Sequence, residues 1–257
     1  MWALLPVKRG EYAKERLAGA LTATERRALC RAMLEDLLLV LCNHPLLEGV
    51  AVVSDDPDMQ ALAKRLSALV LEESSLHACG LNTVVQAAVR EMAHSGISDA
   101  MVVHGDLPLL NASEVTNLVT IHAALGASAI TLAPDRRGVG TNCILYSQSP
   151  DFRFTYGTDS FQKHCDQVLT SGMPWAIGQY PGTACDIDYP DDLLYFLESA
   201  TGDDTSRTLR YLMRSGIAHR LRGTMGISIA DHGNEFIKDG NEFKKVSGSM
   251  FRVNERA

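Results

Sequence analysis

Three aspartates in two short motifs have the type and spacing to bind a divalent cation. Asp106 ends a His-Gly-Asp segment that follows the apolar run 101–103, and ligands of open α/β sheets bind where buried strands end. Asp186 and Asp188 are separated by one residue, which places both side chains on one side of an extended chain. Carboxylate oxygens hold such cations against phosphates. We therefore predict a cation site, while Asp106 as the cap of a helix near Ser113 stays open as an alternative.

Cations cluster after the first predicted strand. Lys8, Arg9, Lys14 and Arg16 fall within nine residues that also contain Gly10. A loop in this position can seat a phosphate, because backbone N–H groups and cationic side chains converge there. It is not a Walker loop, since the pattern G-x-x-x-x-G-K-[ST] is absent. The pattern fits a phosphate site and a solvated surface loop equally well.

A second glycine-containing loop precedes a predicted helix that begins at Thr83. Gly80, Leu81 and Asn82 form this loop, and a glycine there lets a ligand approach the backbone closely. The amide of Asn82 can either cap the helix or bind the edge of a base. Both interpretations remain open at this stage.

Paired arginines lie between two later predicted strands. Arg136 and Arg137 precede two glycines and Thr141, a combination of guanidinium groups and free backbone N–H groups that binds anions. A plain hairpin loop also uses glycines, but it has no need of two arginines. The segment therefore predicts an anion-binding loop.

Gly157 and Ser160 stand at the entry of a predicted helix that begins at Phe161. Free N–H groups and the helix dipole favour an anion at such an end. Capping by Asp159 or Ser160 would explain the same residues without a ligand. We keep both possibilities.

Short apolar runs alternate with helical stretches along the chain, which is typical of an α/β fold with a mostly parallel central sheet and flanking helices. The first helix is predicted to begin at a Thr24 cap and to bury a stripe formed by Leu29, Met33, Leu34, Leu37, Leu38 and Leu41. Strands are predicted at 2–6, 49–56, 69–71, 101–103, 127–134 and 143–146, with an extended segment at 174–180.

The bulk properties restrict the class of protein. The chain has 257 residues and a formal charge of −7, which argues against a general nucleic-acid binder. Its six scattered cysteines predict reduced thiols and a cytoplasmic protein rather than a disulfide or zinc framework. The N-terminal apolar run is too short for a signal peptide, and no stretch approaches the roughly 18 apolar residues of a membrane span.

The organisation predicted along the chain is one domain with an extension. Residues 1–200 form the domain, and residues 201–257 add a basic helix from Ser206 and a polar tail from Gly223. The tail has few positions that could join a core. No internal repeat and no second domain are predicted.

Seven motifs, in order, resemble the guanylyltransferases of cofactor F420 biosynthesis, which act on 2-phospho-L-lactate or phosphoenolpyruvate. The motifs lie at 6–8 with 13–17, 53–55, 80–82, 105–109, 134–138 with 140–142, 156–161 and 186–188. The resemblance implies a single nucleotidyltransferase domain of Rossmann-like, GT-A type, similar to the molybdenum-cofactor guanylyltransferases. It also implies a reaction that joins GTP to a small phosphorylated carboxylic acid and releases pyrophosphate.

The resemblance assigns roles to the matching positions. Asp106, Asp186 and Asp188 would hold Mg²⁺, and Thr141, Gly157 and Ser160 would contact the acid, whose carboxylate Arg136 or Arg137 could clamp. The nucleotide would be bound by Lys8, Lys14, Arg16, Gly80, Leu81, Asn82 and Asp106, with Lys8, Arg16 and Asp106 catalytic. Selection of GTP over ATP is expected to depend on the region of Asn82.

Two departures from the family's pattern affect the choice of acid. Glu15 stands where a small hydroxyl residue is common, and Arg137 occupies a more variable place. The acid is left open among 2-phospho-L-lactate, phosphoenolpyruvate and 3-phospho-D-glycerate. Expected partners are GTP, the acid and the next enzyme of F420 biosynthesis, and homo-oligomer formation is left open.

Two other functions are weighed against this one. A nucleotidyltransferase for a sugar phosphate or molybdopterin shares the fold, but the motif at 156–161 argues against it. A non-catalytic nucleotide-binding subunit is the second alternative, and the presence of all three candidate metal carboxylates argues against that.

Overall fold

A computed structural model describes residues 1–8, 14–148, 152–200, 205–224, 244–246 and 249–253. The strands are β1 Trp2–Pro6, β2 Gly49–Val53, β3 Leu69–Leu71, β4 Asp99–Val103, β5 Ile130–Pro134, β6 Thr141–Ser147, β7 Trp175–Gln179, β8 Lys244–Val246 and β9 Ser249–Val253. The helices are α1 Ala23–Leu41, α2 Pro57–Arg65, α3 Leu81–His94, α4 Ala112–Ala124, α5 Ser160–Ser171, α6 Pro181–Ala184, α7 Pro190–Ser199, α8 Arg207–Arg214 and α9 Ile217–Thr224. This alternation confirms the α/β class.

The strands form one mostly parallel sheet in the order β3-β2-β1-β4-β6-β5-β7-β9-β8. Strands β3, β2, β1 and β4 pair in parallel, as do β5 and β7. Strand β6 lies between β4 and β5 and is antiparallel to both. Its beginning therefore lies beside the end of β4, where Cys143 is opposite Val103. The start of β6 thus shares an edge of the sheet with the ends of the parallel strands.

Apolar side chains fill both faces of the sheet. Along β1, Ala3 and Leu5 pack with α1, α2 and α4, whereas Leu4 packs on the other face with α3. The predicted stripe of α1 is buried at all six positions. Strands covered on both faces need the continuous apolar runs that this chain has.

The start of α1 differs from the prediction. The helix is capped by Thr22, not Thr24, through a capping box in which Thr22 Oγ1 accepts from the Glu25 N–H at 3.2 Å. Glu25 Oε2 in turn accepts from the Thr22 N–H at 2.9 Å. Only Thr22 has an acidic residue three positions ahead, and this reciprocal pair fixes the cap.

A third apolar cluster joins the beginning of the domain to its last helices. It contains Leu29 and Met33 of α1, Phe196 of α7, Leu212 of α8 and Leu221 of α9. The division predicted at residue 200 stays a prediction, but residues 205–224 pack against the same core. Most of the predicted polar tail, 225–243, 247–248 and 254–257, lies outside the described residues.

Across the described ranges, no helix has the length and apolar character needed to cross a membrane. All six cysteines are free thiols.

Candidate active site

The ammonium group of Lys14 lies between two of the predicted metal carboxylates. Its Nζ donates to Asp106 Oδ2 and, at 2.6 Å, to Asp188 Oδ1, while Arg16 donates to Asp188 Oδ2 at 3.0 Å. Asp106 follows β4 and Asp188 precedes α7, so the fold brings to Lys14 two carboxylates that lie 92 and 174 residues away in the sequence. Lys14 has a left-handed backbone with φ 55°, a conformation that is uncommon for non-glycine residues and is enriched at functional sites.

The charges of this group stabilise one another. Burial alone would lower the pKa of Lys14, but Asp106 and Asp188 outweigh it and raise that pKa. Burial would likewise raise the pKa of Asp106, but Lys14 outweighs it and holds that pKa below its usual value. Each charged form therefore depends on its partner, because an unpaired charge in this half-buried position is costly.

Asp186 lies in the same loop as Asp188 but in a different environment. Asn142 Nδ2 donates to Asp186 Oδ1 at 3.0 Å, and the Ile187 N–H donates to the Asp106 carbonyl oxygen at 3.2 Å. Burial and, secondly, the negative charge of Asp106 raise the pKa of Asp186 to about 6. The loop after α6 is thus tied to the loop after β4, and a bound cation would relieve the repulsion between their carboxylates.

The residues present fit a hard divalent cation. Asp106 Oδ1 is buried and has no hydrogen-bond partner among the described residues, so an acceptor remains for a positive ligand. The three predicted ligands are all carboxylates, whose oxygens Mg²⁺ prefers over nitrogen or sulfur ligands. As the side chains stand, no three carboxylate, imidazole or thiol groups in the described ranges are grouped to hold a metal ion; the Lys14 ammonium supplies the positive charge instead. Metal ligation by Asp106, Asp186 and Asp188 stays a prediction.

Three adjoining cavities surround this charged group. The central cavity, of about 270 Å³, is lined by Lys8, Lys14, Asp106 and Asp188 among others. The Asp55 cavity, about 260 Å³, shares Pro6, Val7, Lys8 and Leu81 with it. The Thr141 cavity, about 590 Å³, shares Leu81, His104, Asp106 and Asp188 with it. Together they form a continuous cleft along the edge of the sheet where ligands are expected.

The Asp55 cavity has apolar walls and two carboxylates. Asp55 Oδ1 accepts from the N–H and the hydroxyl of Ser74, at 3.1 and 3.2 Å, and no described residue donates to its other oxygen. Glu73 is the second carboxylate in the lining. The neighbouring Asp56, in contrast, caps α2 by accepting from the N–H groups of Asp58 and Met59. Helix capping therefore accounts for Asp56, but it does not account for Asp55.

The two predicted acid-clamping arginines lie together on the Thr141 cavity, with Arg16. Arg136 donates to Asp192 Oδ1 at 3.0 Å and Arg137 lies 3.7 Å from the same oxygen. Asp192 Oδ2 accepts from the N–H groups of Asp188 and Tyr189. Asp192 was not selected from the sequence; it lies in the first turn of α7 and holds both arginines close to Asp188.

Thr141, Gly157 and Ser160, predicted to contact the acid, line the same cavity. Ser160 Oγ accepts from the Thr141 N–H at 3.0 Å, so the start of β6 is fixed to the start of α5. Gly157 has φ 113°, which an L side chain rarely adopts. Asp159 is the N-cap residue of α5 but makes no capping hydrogen bond with its side chain, which weakens simple capping as an explanation of this segment.

Asn82 does not line any of the three cavities. Its Nδ2 donates to the Tyr156 carbonyl oxygen at 3.1 Å and its Oδ1 accepts from the Tyr156 N–H at 2.7 Å. It does not cap α3, which begins at Leu81 after the N-cap residue Gly80. Nucleotide binding by Asn82 stays a prediction, and the contacts give its amide another task, which is to hold the segment before Gly157.

Asp106 does not cap a helix, because Asn111 caps α4 by accepting from the Glu114 N–H.

His104, which lines both the central cavity and the Thr141 cavity, was not selected from the sequence. Its Nε2 is buried without a hydrogen-bond partner among the described residues, and its ring packs 4.8 Å from that of Tyr156. Arg9, part of the predicted phosphate loop, lies outside the described residues.

The structure therefore brings most predicted site residues to one cleft. Lys14, Asp106 and Asp188 are in direct contact, Asp186 adjoins them, and Lys8, Gly80 and Leu81 line the Asp55 cavity. Arg16 shares Asp188 with Lys14. It lines the Thr141 cavity rather than the central one and lies 5.0 Å from the ring of Tyr189. Nucleotide binding by Arg16 stays a prediction.

Known proteins resemble this chain in sequence. Residues 1–224 match the family model described as Guanylyl transferase CofC like. The phosphoenolpyruvate guanylyltransferase of Conexibacter woesei is 33% identical over 218 residues, covering 85% of this chain and 92% of that protein. The phosphoenolpyruvate guanylyltransferase of Sphaerobacter thermophilus is 35% identical over 191 residues, covering 74% and 89%.

Solved structures resemble it in fold. A provisionally named nucleotide-diphospho-sugar transferase from Desulfovibrio desulfuricans G20 superimposes with a TM-score of 0.69 at 16% identity, covering 86% of this chain and 96% of its own. A cytidylyltransferase from Leptospira borgpetersenii gives 0.53 at 14% identity, covering 90% and 98%. These likenesses confirm the predicted fold class.

Proposed function

Because the chain belongs to the CofC-like guanylyl transferase family, we propose that it transfers GMP from GTP to a small phosphorylated carboxylic acid and releases pyrophosphate. Phosphoenolpyruvate is the proposed acid, since that is the substrate in the names of the relatives. The product would enter the biosynthesis of cofactor F420.

The observation that carries this proposal is the continuity of the three cavities around one charged group. A reaction between two phosphorylated substrates needs two binding regions that meet where the bond forms. The central cavity meets the Asp55 cavity at Lys8 and Leu81, and it meets the Thr141 cavity at Asp106 and Asp188. A nucleotide with its base in one cavity and an acid in the other would meet at the carboxylates.

The base is assigned to the Asp55 cavity. Guanine presents two adjacent donors, N1–H and the 2-amino group, whereas adenine has an acceptor at N1. A carboxylate only accepts hydrogen bonds, so the free oxygen of Asp55 would favour guanine and leave adenine unpaired. The Ser74 contacts fix the Asp55 carboxylate before a base binds. The amide of Asn82 is already bonded to Tyr156, so the contacts support Asp55 rather than Asn82 as the residue that selects the base.

The reaction would be an attack by the acid's phosphate oxygen on the α-phosphorus of GTP. The new bond joins that oxygen to the α-phosphorus, the bond from the α-phosphorus to the bridging oxygen breaks, and pyrophosphate leaves. An ionised phosphate needs no general base, so catalysis depends on positioning and on neutralising charge. Lys8 and Lys14 would face the triphosphate from the central cavity.

A divalent cation is proposed at Asp106, Asp186 and Asp188, where the unpaired Asp106 oxygen and the raised pKa of Asp186 support it. Mg²⁺ bound there would stabilise negative charge on the phosphates. On the acid side, Thr141, Gly157 and Ser160 would bind the phosphate. Arg16, Arg136 and Arg137 would face the carboxylate from the same cavity.

We also propose a cytoplasmic location, which the six free thiols support.

The test is pyrophosphate release by the full-length protein from GTP and Mg²⁺, with phosphoenolpyruvate, 2-phospho-L-lactate and 3-phospho-D-glycerate supplied separately. We expect release that requires GTP, an acid and Mg²⁺ together, and that is fastest with phosphoenolpyruvate. Reactions without acid, with ATP in place of GTP and with a chelator are the controls.

Two outcomes would contradict the proposal in different ways. Release with another of the three acids alone would keep the reaction and replace the substrate. No release with any acid, from protein that binds GTP, would reject guanylyl transfer to these acids and leave a sugar-phosphate enzyme or a binding-only protein.

A further inference from the structure

A buried histidine that lies outside the lining of the three cavities contacts Thr141, a residue proposed to bind the acid. His164 of α5 is fully buried. Its Nε2 accepts from the Thr155 N–H at 2.9 Å, and its Nδ1 lies 2.9 Å from Thr141 Oγ1. The ring is enclosed by the aromatic rings of Phe152 and Tyr156, with centroids 5.7 and 5.4 Å away.

These contacts decide which nitrogen of His164 carries the proton. The Thr155 N–H can only donate, so Nε2 must be the unprotonated nitrogen. In a neutral imidazole the other nitrogen then bears the hydrogen, and Nδ1–H donates to Thr141 Oγ1. A doubly protonated ring would oppose its Nε2–H to the Thr155 N–H, and this geometry excludes it.

The direction of this hydrogen bond determines what the Thr141 hydroxyl can do. Because Oγ1 accepts from His164, its own hydrogen is free to donate elsewhere, and no described residue accepts it. Ser160 is arranged alike, since its Oγ accepts from the Thr141 N–H and its own hydrogen has no acceptor in the described ranges. Both residues line the Thr141 cavity. The wall of this cavity therefore offers two hydroxyl donors.

We propose that His164 is a positioning residue that turns the Thr141 hydroxyl into a hydrogen-bond donor for the phosphate of the acid substrate. The proposal rests on the proposed function and deepens it. The oxygens of an ionised phosphate only accept hydrogen bonds, so two fixed hydroxyl donors in the cavity wall would recognise it. A Thr141 hydroxyl that rotated freely would lose part of this preference for phosphate. The cavity should thus select a phosphorylated acid over one that presents a hydroxyl group at this position.

The chain contains a matched control. His122 is also buried, and both of its ring nitrogens are also engaged, here by two hydroxyl groups, with Nδ1 3.0 Å from Thr131 Oγ1 and Nε2 2.9 Å from Ser147 Oγ. Thr141 begins β6 and Ser147 ends it, so this second network lies at the opposite edge of the sheet. A substitution at His122 should disturb packing as much as one at His164 without reaching the cleft.

The experiment is a double-mutant cycle on the full-length enzyme. KM for phosphoenolpyruvate and KM for GTP are measured for the wild type, His164→Leu, Thr141→Val and the double variant, with His122→Leu and His164→Gln alongside. Should the wild type turn over another of the three acids instead, that acid takes its place. A wild type with no activity would contradict the proposed function and is recognised before any variant is compared.

The expected result is a selective and non-additive loss of acid binding. Thr141→Val should raise KM for the acid by about tenfold, since it removes one hydrogen bond to a charged group. His164→Leu should raise it by only about threefold, since the Thr141 hydroxyl stays but is free to rotate. Both variants should leave KM for GTP within about twofold. The double variant should resemble Thr141→Val, because His164 acts through the hydroxyl that this substitution removes. His164→Gln should restore much of the affinity, as its amide can accept from Thr155 and donate to Thr141.

The opposite pattern is equally clear. Additive effects of the two substitutions would overturn the proposal, and so would a rise in both KM values in His164→Leu matched by His122→Leu. Melting temperatures measured on the same samples identify a variant that has not folded. In that case Thr141→Val and His164→Gln decide: a rise in KM for the acid alone in Thr141→Val, with His164→Gln near the wild type, supports the proposal, and a Thr141→Val variant with neither KM changed overturns it.

Discussion

The two oxygens of Asp106 are in different environments, and this predicts how the residue fails when changed. Oδ2 accepts from Lys14, while Oδ1 is buried without a partner in the described part of the chain. Asp106→Asn keeps the shape but removes the charge, so we expect kcat to fall at least about a hundredfold, roughly 2.7 kcal/mol, with the fold retained. Steady-state pyrophosphate release measures it. Asp166→Asn, an exposed aspartate of α5, is the control, and a near-wild-type rate in Asp106→Asn would reject the cation site.

Selection of the base is predicted to depend on Asp55. Asp55→Asn should reduce the ratio of kcat/KM for GTP over ATP by about a hundredfold, because an amide would oppose a donor to a donor of guanine. With ITP, which lacks the 2-amino group, the wild type should lose activity and the variant should not. Glu72→Gln, an exposed neighbour outside the cavity lining, controls for loss of charge. If only Asn82→Ala changes the ratio, the prediction made from the sequence is right and Asp55 is not the determinant.

Two buried histidines predict how stability depends on pH. Burial lowers the pKa of both His122 and His164 to about 4, below the unfolded value near 6.5. The unfolded chain therefore binds more protons between these values, and the stabilisation present above pH 6.5 is lost as pH falls towards 4. For His122 the loss amounts to about 3 kcal/mol. The free energy of unfolding, measured with denaturant at pH values from 7 to 4, should depend less steeply on pH in His122→Gln than in the wild type. An equally steep dependence in both proteins would contradict the lowered pKa of His122.

At the scale of single residues, the sequence predicts which charged groups belong to the site better than it predicts which side chains they bond to. Asp106, Asp188 and Lys14 were selected by type and loop position, and they are in contact. His164 lies in a helical stretch where a buried core histidine looks the same, and its role depends on the Thr141 hydroxyl 23 residues away. Such partners follow from the folded path of the chain, which one sequence does not specify.

Among the elements, strand positions were predictable and one strand direction was not. The apolar run of β6 has the same appearance in either direction, so only the structure reveals that it is antiparallel to β4 and β5. That reversal determines the make-up of the proposed site, because it places Thr141 and Asn142 at the edge where the parallel strands end. The cap of α1 was missed by two residues because the prediction did not look for the Glu25 that completes the capping box.

The short helix α6 is predicted to be intolerant of a side chain at Gly182. Glu114 of α4 accepts from the N–H groups of Gly182 and Thr183, and a Cβ at Gly182 would overlap the backbone oxygen of Leu109 as well as Glu114. Gly182→Ala should therefore lower the free energy of unfolding by about 1–3 kcal/mol. It should also lower activity, since the loop that carries Asp186 follows directly.

Urea unfolding and kcat of the Gly182→Ala variant measure both effects. Gly19→Ala is the control, as a Cβ there meets no atom within 4 Å. Unchanged stability in Gly182→Ala would mean that α6 can shift without cost.

For the whole molecule, the third apolar cluster predicts that residues beyond 200 are required for folding. Leu212 is fully buried in the cluster. Leu212→Ala should destabilise the protein by about 2–5 kcal/mol, in a single unfolding transition, whereas Leu169→Ala, exposed on α5, should change little. A chain ending at Ala200 should not reach the native fold. A truncated protein that melts like the full one would support the domain boundary predicted from the sequence.

The same cluster governs the order in which the chain folds during synthesis. The face of α1 that carries Leu29 and Met33 is covered by Phe196, Leu212 and Leu221. At about 5–20 residues per second, a ribosome needs on the order of 10–40 s to make the chain between α1 and α9. Throughout that interval this face of the nascent helix stays exposed as apolar surface, which is prone to aggregate. One face of the first long helix of this protein is thus among the last surfaces to be buried.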